Sequence, residues 1–277
     1  MKDYTGKTVI AGPWVGEFGW ELFAWHAYLR AIKDKYRTKM VVICNEGAQY
    51  LYSDFADEFI SYTPPNTGES DSYFRYGLDV NKSLLFSILP ARYRNIKFSW
   101  LPPRRIGNPP STGYEETVSV GPFEIKPRYR VLGEEKGSEI DILFHARNRK
   151  LREQDNWSVS NWQELYTSLS KRYIIGSIGT TGASIHVEGT LDLRGLDLKA
   201  LTTIIRGSKA VLGPSSGPMH LASLCECPHI VWGSRSLSQD RYERTWNPHA
   251  TDVIFLDKYD WHPPPEYIYE KVLENVV

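Results

Sequence analysis

Residues 210–233 read AVLGPSSGPMHLASLCECPHIVWG. An apolar run, Ala210 to Gly213, breaks into a turn of Pro214, Ser215, Ser216, Gly217 and Pro218. A helix follows from about Met219 to Leu224, and then a second apolar run, His229 to Gly233. Short continuous apolar runs bounded by turn residues suit strands buried on both faces, and strand–helix–strand is the βαβ unit of a parallel sheet. The turn also has chemistry of its own. A helix that begins after glycine and two hydroxyls presents unsatisfied N–H groups and the positive end of its dipole, which suits a phosphate.

The rhythm continues outward from this stretch. Upstream, Ile140 to Phe144 reads as a strand, and Ser160 is an N-cap candidate for a helix through Trp162, Leu165, Tyr166 and Leu169. Tyr173 to Ile178 is the next strand, and Leu198 to Ile205 the next helix. Near the N-terminus, Thr8-Val9-Ile10-Ala11 breaks into Gly12-Pro13-Trp14-Val15-Gly16-Glu17-Phe18-Gly19. Leu22, Phe23, Trp25, His26, Leu29 and Ile32 then recur at helical spacing before the strand Met40 to Cys44. Residues 61–75 and 100–122, rich in Pro, Gly, Ser and Asn, read as loop, with a helix near 79–89. Pro263-Pro264-Pro265 opens a final helix. The fold class is therefore α/β, with two doubly wound, Rossmann-like domains. The expected boundaries are 1–130 and 131–262, followed by a C-terminal helix, 263–277, that has the option of packing back on the first domain.

The chain has 277 residues, with 33 basic side chains against 33 acidic ones, so no global field selects nucleic acid or membrane and any such partner must use a local patch. Three cysteines (Cys44, Cys225, Cys227) argue against a disulfide framework and for a reducing compartment. No apolar run approaches the ~20 residues that span a bilayer, and the first residues lack a signal-peptide stretch. The expectation is a cytoplasmic protein without a transmembrane segment. Cys225-Glu226-Cys227-Pro228-His229 is too tight for a tetrahedral zinc site and lacks a second ligand pair, so it reads as core, and no metal site is expected.

The run GPSSGPMHLASLCECPHIVWG resembles the signature of the bacterial lipopolysaccharide heptosyltransferase family. Gly217, His220, Ala222, Pro228 and Gly233 match in place, and Ser215 and Ser216 stand where the family has Asp and Thr. Leu143-Phe144-His145-Ala146 with Asn156-Trp157 and Trp162, and Leu191-Asp192-Leu193-Arg194-Gly195 with Leu201, resemble further blocks in the same order. The likeness spans about residues 140–235. It implies a B-type glycosyltransferase fold: two Rossmann-like domains facing a central cleft, a nucleotide-diphosphate-sugar as donor substrate rather than a cofactor, and inverting transfer without a metal. The first domain would take the acceptor and supply the base, and the second would bind the donor.

The resemblance also distributes roles among residues. In the glycine loop Gly16–Gly19, Gly16-Glu17 resembles the family's Gly-Asp pair, which makes Glu17 the catalytic base. Counting back from Leu29-Arg30 favours Glu21 instead, and both stay open. Either carboxylate could take the acceptor hydroxyl's proton, or simply compensate a helix N-terminus. Donor-binding candidates are Ser215, Ser216, Gly217 and His220, with Arg147, Arg149 and Lys150 from the basic loop that follows the strand ending at Phe144. Ligands of open α/β sheets sit beyond the carboxyl ends of strands, which is where that loop lies. Residues 92–105 hold five basic and three aromatic side chains and no acidic one. Arg94, Trp100, Arg104 and Arg105 are therefore candidates for an anionic acceptor, a phosphorylated glycan or a hydroxylated base in DNA. Two other readings remain: a nucleotide-sugar epimerase or hydrolase on the same fold, and a non-catalytic nucleotide-sugar or glycan binder.

Overall fold

The computed structural model describes residues 3–63, 80–103, 125–150, 152–234 and 238–276. The chain divides into two compact units, Met1–Tyr129 and Arg130–Val277.

The first unit runs β1 (Thr8–Ala11), a short helix α1 (Phe18–Trp20), a π-helical turn (Glu21–Trp25), α2 (His26–Tyr36), β2 (Lys39–Cys44), a 3₁₀ segment (Glu46–Tyr52), β3 (Glu58–Ser61), α3 (Lys82–Ile88), α4 (Ala91–Arg94) and β4 (Ser99–Leu101). Its strands are all parallel, in the order β3-β2-β1-β4. In β1, Ile10 stands opposite Val41 on one side and Trp100 on the other, so it is buried between the two neighbouring strands. Leu85 and Leu89, at helical spacing on and just past α3, cover that core together with Tyr93. Asn81 caps α3 through its side chain, which accepts from the Leu84 N–H at 3.0 Å. The helix predicted near 79–89 is thus present, whereas Trp100 and Leu101, predicted as loop, lie in β4. The helix predicted from Leu22 onward is interrupted by the π turn, which inserts one residue before α2.

The second unit runs β5 (Ile142–Phe144), α5 (Val159–Leu169), β6 (Ile175–Ser177), β7 (Leu191–Asp192), α6 (Leu198–Gly207), β8 (Ala210–Pro214), α7 (Gly217–Leu224), β9 (His229–Trp232), a turn of α-helix α8 (Ser238–Asp240) leading into a π turn (Arg241–Thr245), β10 (Val253–Leu256) and α9 (Pro265–Asn275). The sheet order β10-β9-β8-β5-β6-β7 is again wholly parallel. Every residue of β5, β8 and β9 is buried, which is why these strands read as unbroken apolar runs.

Three tryptophans form the centre of this unit. Trp157, Trp162 and Trp232 lie with ring centroids 4.8–5.4 Å apart, and Phe144 packs 5.1 Å from Trp162. Ile268 and Val272 of α9 are fully buried in the same cluster, and Trp157 Nε1 donates to the Pro263 carbonyl at 2.9 Å. The C-terminal helix therefore packs within the second unit, against α5. One cap also moves. Ser158, not Ser160, caps α5, its Oγ accepting from the Asn161 N–H at 3.1 Å. Val159 starts the helix on its exposed side, so apolar periodicity gives no sign of the earlier start.

Candidate functional site

In the second unit the chain steps from β5 outward through β6 and β7, then returns to the other side of β5 with β8, β9 and β10. The order reverses between β5 and β8, and such a switch point opens a crevice beyond the carboxyl ends of those two strands. Two sequence-predicted segments lie there: His145–Lys150 after β5, and Ser215–Gly217 between β8 and α7.

The turn is held from several sides. Ser215 N–H donates to the Trp232 carbonyl at 2.8 Å, and Ser216 N–H to the Tyr242 hydroxyl at 3.1 Å. Ser216 Oγ lies 2.9 Å from His145 Nδ1. Arg147, whose residue exposure is only 5%, donates through Nη1 to the Ser215 carbonyl (2.7 Å) and through Nη2 to the Asp155 carbonyl (2.6 Å). Its guanidinium also lies 4.8 Å from the Trp261 ring centroid, and burial lowers its pKa to about 9. Sequence reasoning pointed Arg147 at a ligand; the structure turns it inward, onto two backbone carbonyls that would otherwise lack these donors. Arg149 pairs with the Asp155 carboxylate, and Lys150 is exposed.

α7 leaves the N–H groups of Gly217 and Met219 without intrahelical partners, and Pro218 has none to offer. Ser215, Ser216 and Gly217 are all partly exposed at this helix start. Gly213 beneath them is tightly enclosed, for a Cβ there would lie 2.9 Å from Met219 Sδ and 3.1 Å from the His145 carbonyl. His220, 4% exposed, stacks face to face on Tyr242 (4.1 Å, 10°) with Trp246 edge-on at 4.7 Å. Tyr242, Trp246 and Trp261 were not singled out from sequence. They come from the segment between β9 and α9, where no periodicity marks them.

In the first unit the switch point lies between β1 and β4. Gly12, immediately after β1, has φ +105°, and a Cβ there would stand 2.4 Å from the Ile43 carbonyl oxygen, so only glycine fits. Its N–H donates to the Leu101 carbonyl, and its own carbonyl accepts from Trp100 Nε1 at 2.8 Å, which ties the loop to β4. This loop delivers Glu17, exposed, to the N-cap of α1. Gly16 and Gly19 flank that position, Gly19 buried and Gly16 partly so.

Glu21 has a different environment. It is 6% exposed, its Oε1 accepts from the Tyr52 hydroxyl at 2.5 Å, and burial raises its pKa to about 7 against the lowering effect of that bond. The π turn puts the His26 N–H on the Glu21 carbonyl, with His26 Nδ1 3.2 Å from the same oxygen. The two candidate carboxylates are thus separated by environment: Glu17 faces water, and Glu21 is enclosed. Arg94 is exposed and donates through Nε to the Leu89 carbonyl at 3.1 Å. Arg104 and Arg105 lie outside the described residues.

Among the described residues, no group of three or more His, Cys, Asp or Glu could hold a metal ion, and no helix is long and apolar enough to cross a membrane. Cys225 and Cys227 are buried, and burial raises both thiols, Cys227 to about 12.

Comparison with solved structures shows which proteins share this fold. The glycosyl transferase family 9 protein of Veillonella parvula DSM 2008 aligns over 100% of this chain and 91% of its own, at 11% identity and a TM-score of 0.60. E. coli ADP-heptose lps heptosyltransferase II aligns over 98% of each chain at 15% identity, also with a TM-score of 0.60. The fold is that of the heptosyltransferases. E. coli heptosyltransferase WaaC, solved with ADP, aligns over 97% of this chain and 99% of its own at 14% identity and the same TM-score of 0.60. The heptosyltransferase likeness therefore runs along nearly the whole chain, beyond the blocks in residues 140–235. No protein-family model and no curated protein matches the sequence.

Proposed function

We propose that this protein is a glycosyltransferase that moves a sugar from a nucleotide-diphosphate-sugar to an acceptor hydroxyl, with inversion and without a metal. The observation that carries the reading is the turn Ser215–Gly217, partly exposed at the start of α7 on the β5/β8 switch point. Helix-start N–H groups can take the donor diphosphate, and Lys150, exposed on the neighbouring loop, can supply a cation to the leaving group. Arg149 and His220 stay in the donor set, whereas Arg147 acts on the turn. In the first unit Glu17 is the base. It is exposed beyond the carboxyl end of β1, where an acceptor hydroxyl can reach it. The similar E. coli enzymes, one an ADP-heptose lps heptosyltransferase and the other solved with ADP, support an ADP-sugar as the first donor to try.

The first experiment is a thermal-shift panel of ADP-, UDP-, GDP-, CMP- and dTDP-sugars, since a ligand that binds only the native state raises its melting temperature. One nucleotide class should raise it, and no shift with any of them would end the reading. With that donor in hand, Gly217→Val is expected to weaken binding about a hundredfold, the loss of two charge-assisted hydrogen bonds at ~1.5 kcal/mol each. Ser216→Ala should have a smaller effect, because its hydroxyl is engaged with His145. Unchanged affinity in a folded Gly217→Val variant would remove the donor from this turn.

Metal-free turnover has its own check. Excess EDTA should leave the rate unchanged; loss of activity restored by magnesium or manganese would overturn that part of the proposal. For the acceptor we keep an anionic glycan or hydroxylated nucleic-acid base, met by Arg94, Trp100, Arg104 and Arg105. Arg104→Glu with Arg105→Glu should raise the acceptor KM and flatten its salt dependence without changing donor affinity. An unchanged KM would leave these residues as surface.

A further inference from the structure

Tyr242 sits in the π turn Arg241–Thr245, fully buried between the faces of His220 (4.1 Å) and Phe255 (5.8 Å, 26°). Its ring is fixed by this sandwich, so its hydroxyl has a fixed place. That hydroxyl lies 3.1 Å from Ser216 N, 3.3 Å from Ser215 Oγ and 3.3 Å from the Ser216 carbonyl. An N–H can only donate, so the phenol oxygen accepts from Ser216. Its own proton then goes to Ser215 Oγ or to the Ser216 carbonyl. A serine hydroxyl that accepts a hydrogen bond keeps its hydrogen for another acceptor.

The two serines of the turn consequently differ. Ser216 Oγ is engaged with His145, and its N–H with Tyr242. Ser215 has its N–H on Trp232 and its carbonyl on Arg147, while its hydroxyl is one of the two acceptors within reach of the Tyr242 proton. We infer that Tyr242 is a positioning residue for the donor turn: it takes up the Ser216 N–H, orients the Ser215 hydroxyl as a donor, and so makes Ser215 rather than Ser216 the hydroxyl that meets a phosphate. This rests on the donor reading above and adds to it a relay that begins in the backbone and ends at Ser215. The chain is cooperative, because a hydroxyl that accepts one hydrogen bond donates the next more strongly.

The test uses the full chain and four proteins: wild type, Tyr242→Phe, Ser215→Ala and the double variant. Tyr242→Phe keeps both ring stacks and removes one oxygen. Dissociation constants are measured for ADP, UDP, GDP, CDP and dTDP, and hydrogen exchange of the Ser216 amide is followed by NMR without ligand. Tyr242→Phe should speed exchange at Ser216 and weaken the bound diphosphate by about tenfold, in line with one lost hydrogen bond. Ser215→Ala should give a similar loss, and the double variant should lose no more than Ser215→Ala alone, since the phenol acts through that hydroxyl. Additive losses, or wild-type affinity in Tyr242→Phe, would overturn the inference while leaving the donor site intact. Unchanged exchange at Ser216 would overturn the relay at its first step. If wild type binds none of the diphosphates, the donor reading falls and the phosphate role of Ser215 falls with it, whereas the exchange measurement still decides whether Tyr242 holds the turn.

Discussion

Glu17→Gln is expected to lower turnover by two to four orders of magnitude, the usual contribution of a positioned general base, while donor affinity stays at the wild-type value. Glutamine keeps the size and the hydrogen-bonding reach of the side chain but cannot take a proton. Glu17 makes no side-chain capping hydrogen bond to α1, so the substitution removes no helix cap. Glu21→Gln should behave differently. The buried carboxyl, with a pKa of about 7, carries its charge above neutral pH at the expense of stability. Its unfolded pKa is near 4.5, so the unfolded state loses its proton first, and stability falls as pH rises from 4.5 to 7 by on the order of 3 kcal/mol. Glutamine removes that dependence. Glu21→Gln should therefore melt at a higher temperature than wild type at pH 8, with turnover retained. Steady-state kinetics of both variants with the donor found by thermal shift decides the matter. If Glu21→Gln is the inactive protein and Glu17→Gln is not, the roles are reversed.

The parts of the fold that can be read from sequence, and the parts that cannot, divide along one physical line. β1, β2, β5, β6, β8 and β9 were expected, and each has neighbours on both sides of the sheet. Their burial makes them runs of Val, Ile, Leu and Phe. β3, β4, β7 and β10 were not singled out, and all four are sheet edges. β7 is exposed throughout, and the others bury only one or two residues each. An edge strand presents one side to water, so its composition carries little of the apolar signal that interior strands show. The site divides similarly. The turn Ser215–Gly217 is local, and its glycine, hydroxyls and flanking strand and helix lie within one short stretch. The inward turn of Arg147 depends on Ser215 and Asp155, and the contact of Tyr242 with Ser216 spans 26 residues. Neither leaves a periodic trace. The π turn was hidden too, because it is fixed by Glu21, Tyr52 and His26 meeting in the core rather than by any local propensity.

Acid is expected to unfold the second unit while sparing the first. His145, His220 and His229 are all buried in the second unit as neutral rings. Burial lowers His145 to about 3 and His229 to about 4, aided at His145 by the Arg147 charge. His220 also lies well below its ordinary value, through burial and then the charges of Arg241 and His229. Each has a folded pKa below the unfolded 6.5, so its contribution is fully present above pH 6.5 and is lost as pH falls toward the folded value. His145 and His229 together give a slope of about 3 kcal/mol per pH unit, to which His220 adds in the same direction, against a typical domain stability of ~5–15 kcal/mol. Melting should therefore drop steeply below pH 6. The first unit has one such ring, His26, lowered to about 3, and beside it Glu21, raised to about 7. Between pH 4.5 and 6.5 their slopes have opposite signs and nearly equal size, so they offset each other. Carboxylates with lowered pKa values, Glu58 in the first unit and Asp192 in the second, act only below this window. Calorimetry at pH 7.5, 6.5, 5.5 and 5.0 should show one transition moving sharply and the other almost still. Glu21→Gln should give the first unit an acid slope of its own, because His26 is then unopposed. A second-unit transition that stays constant from pH 6.5 to 5.0 would mean that its histidines do not ionise on unfolding as their burial requires.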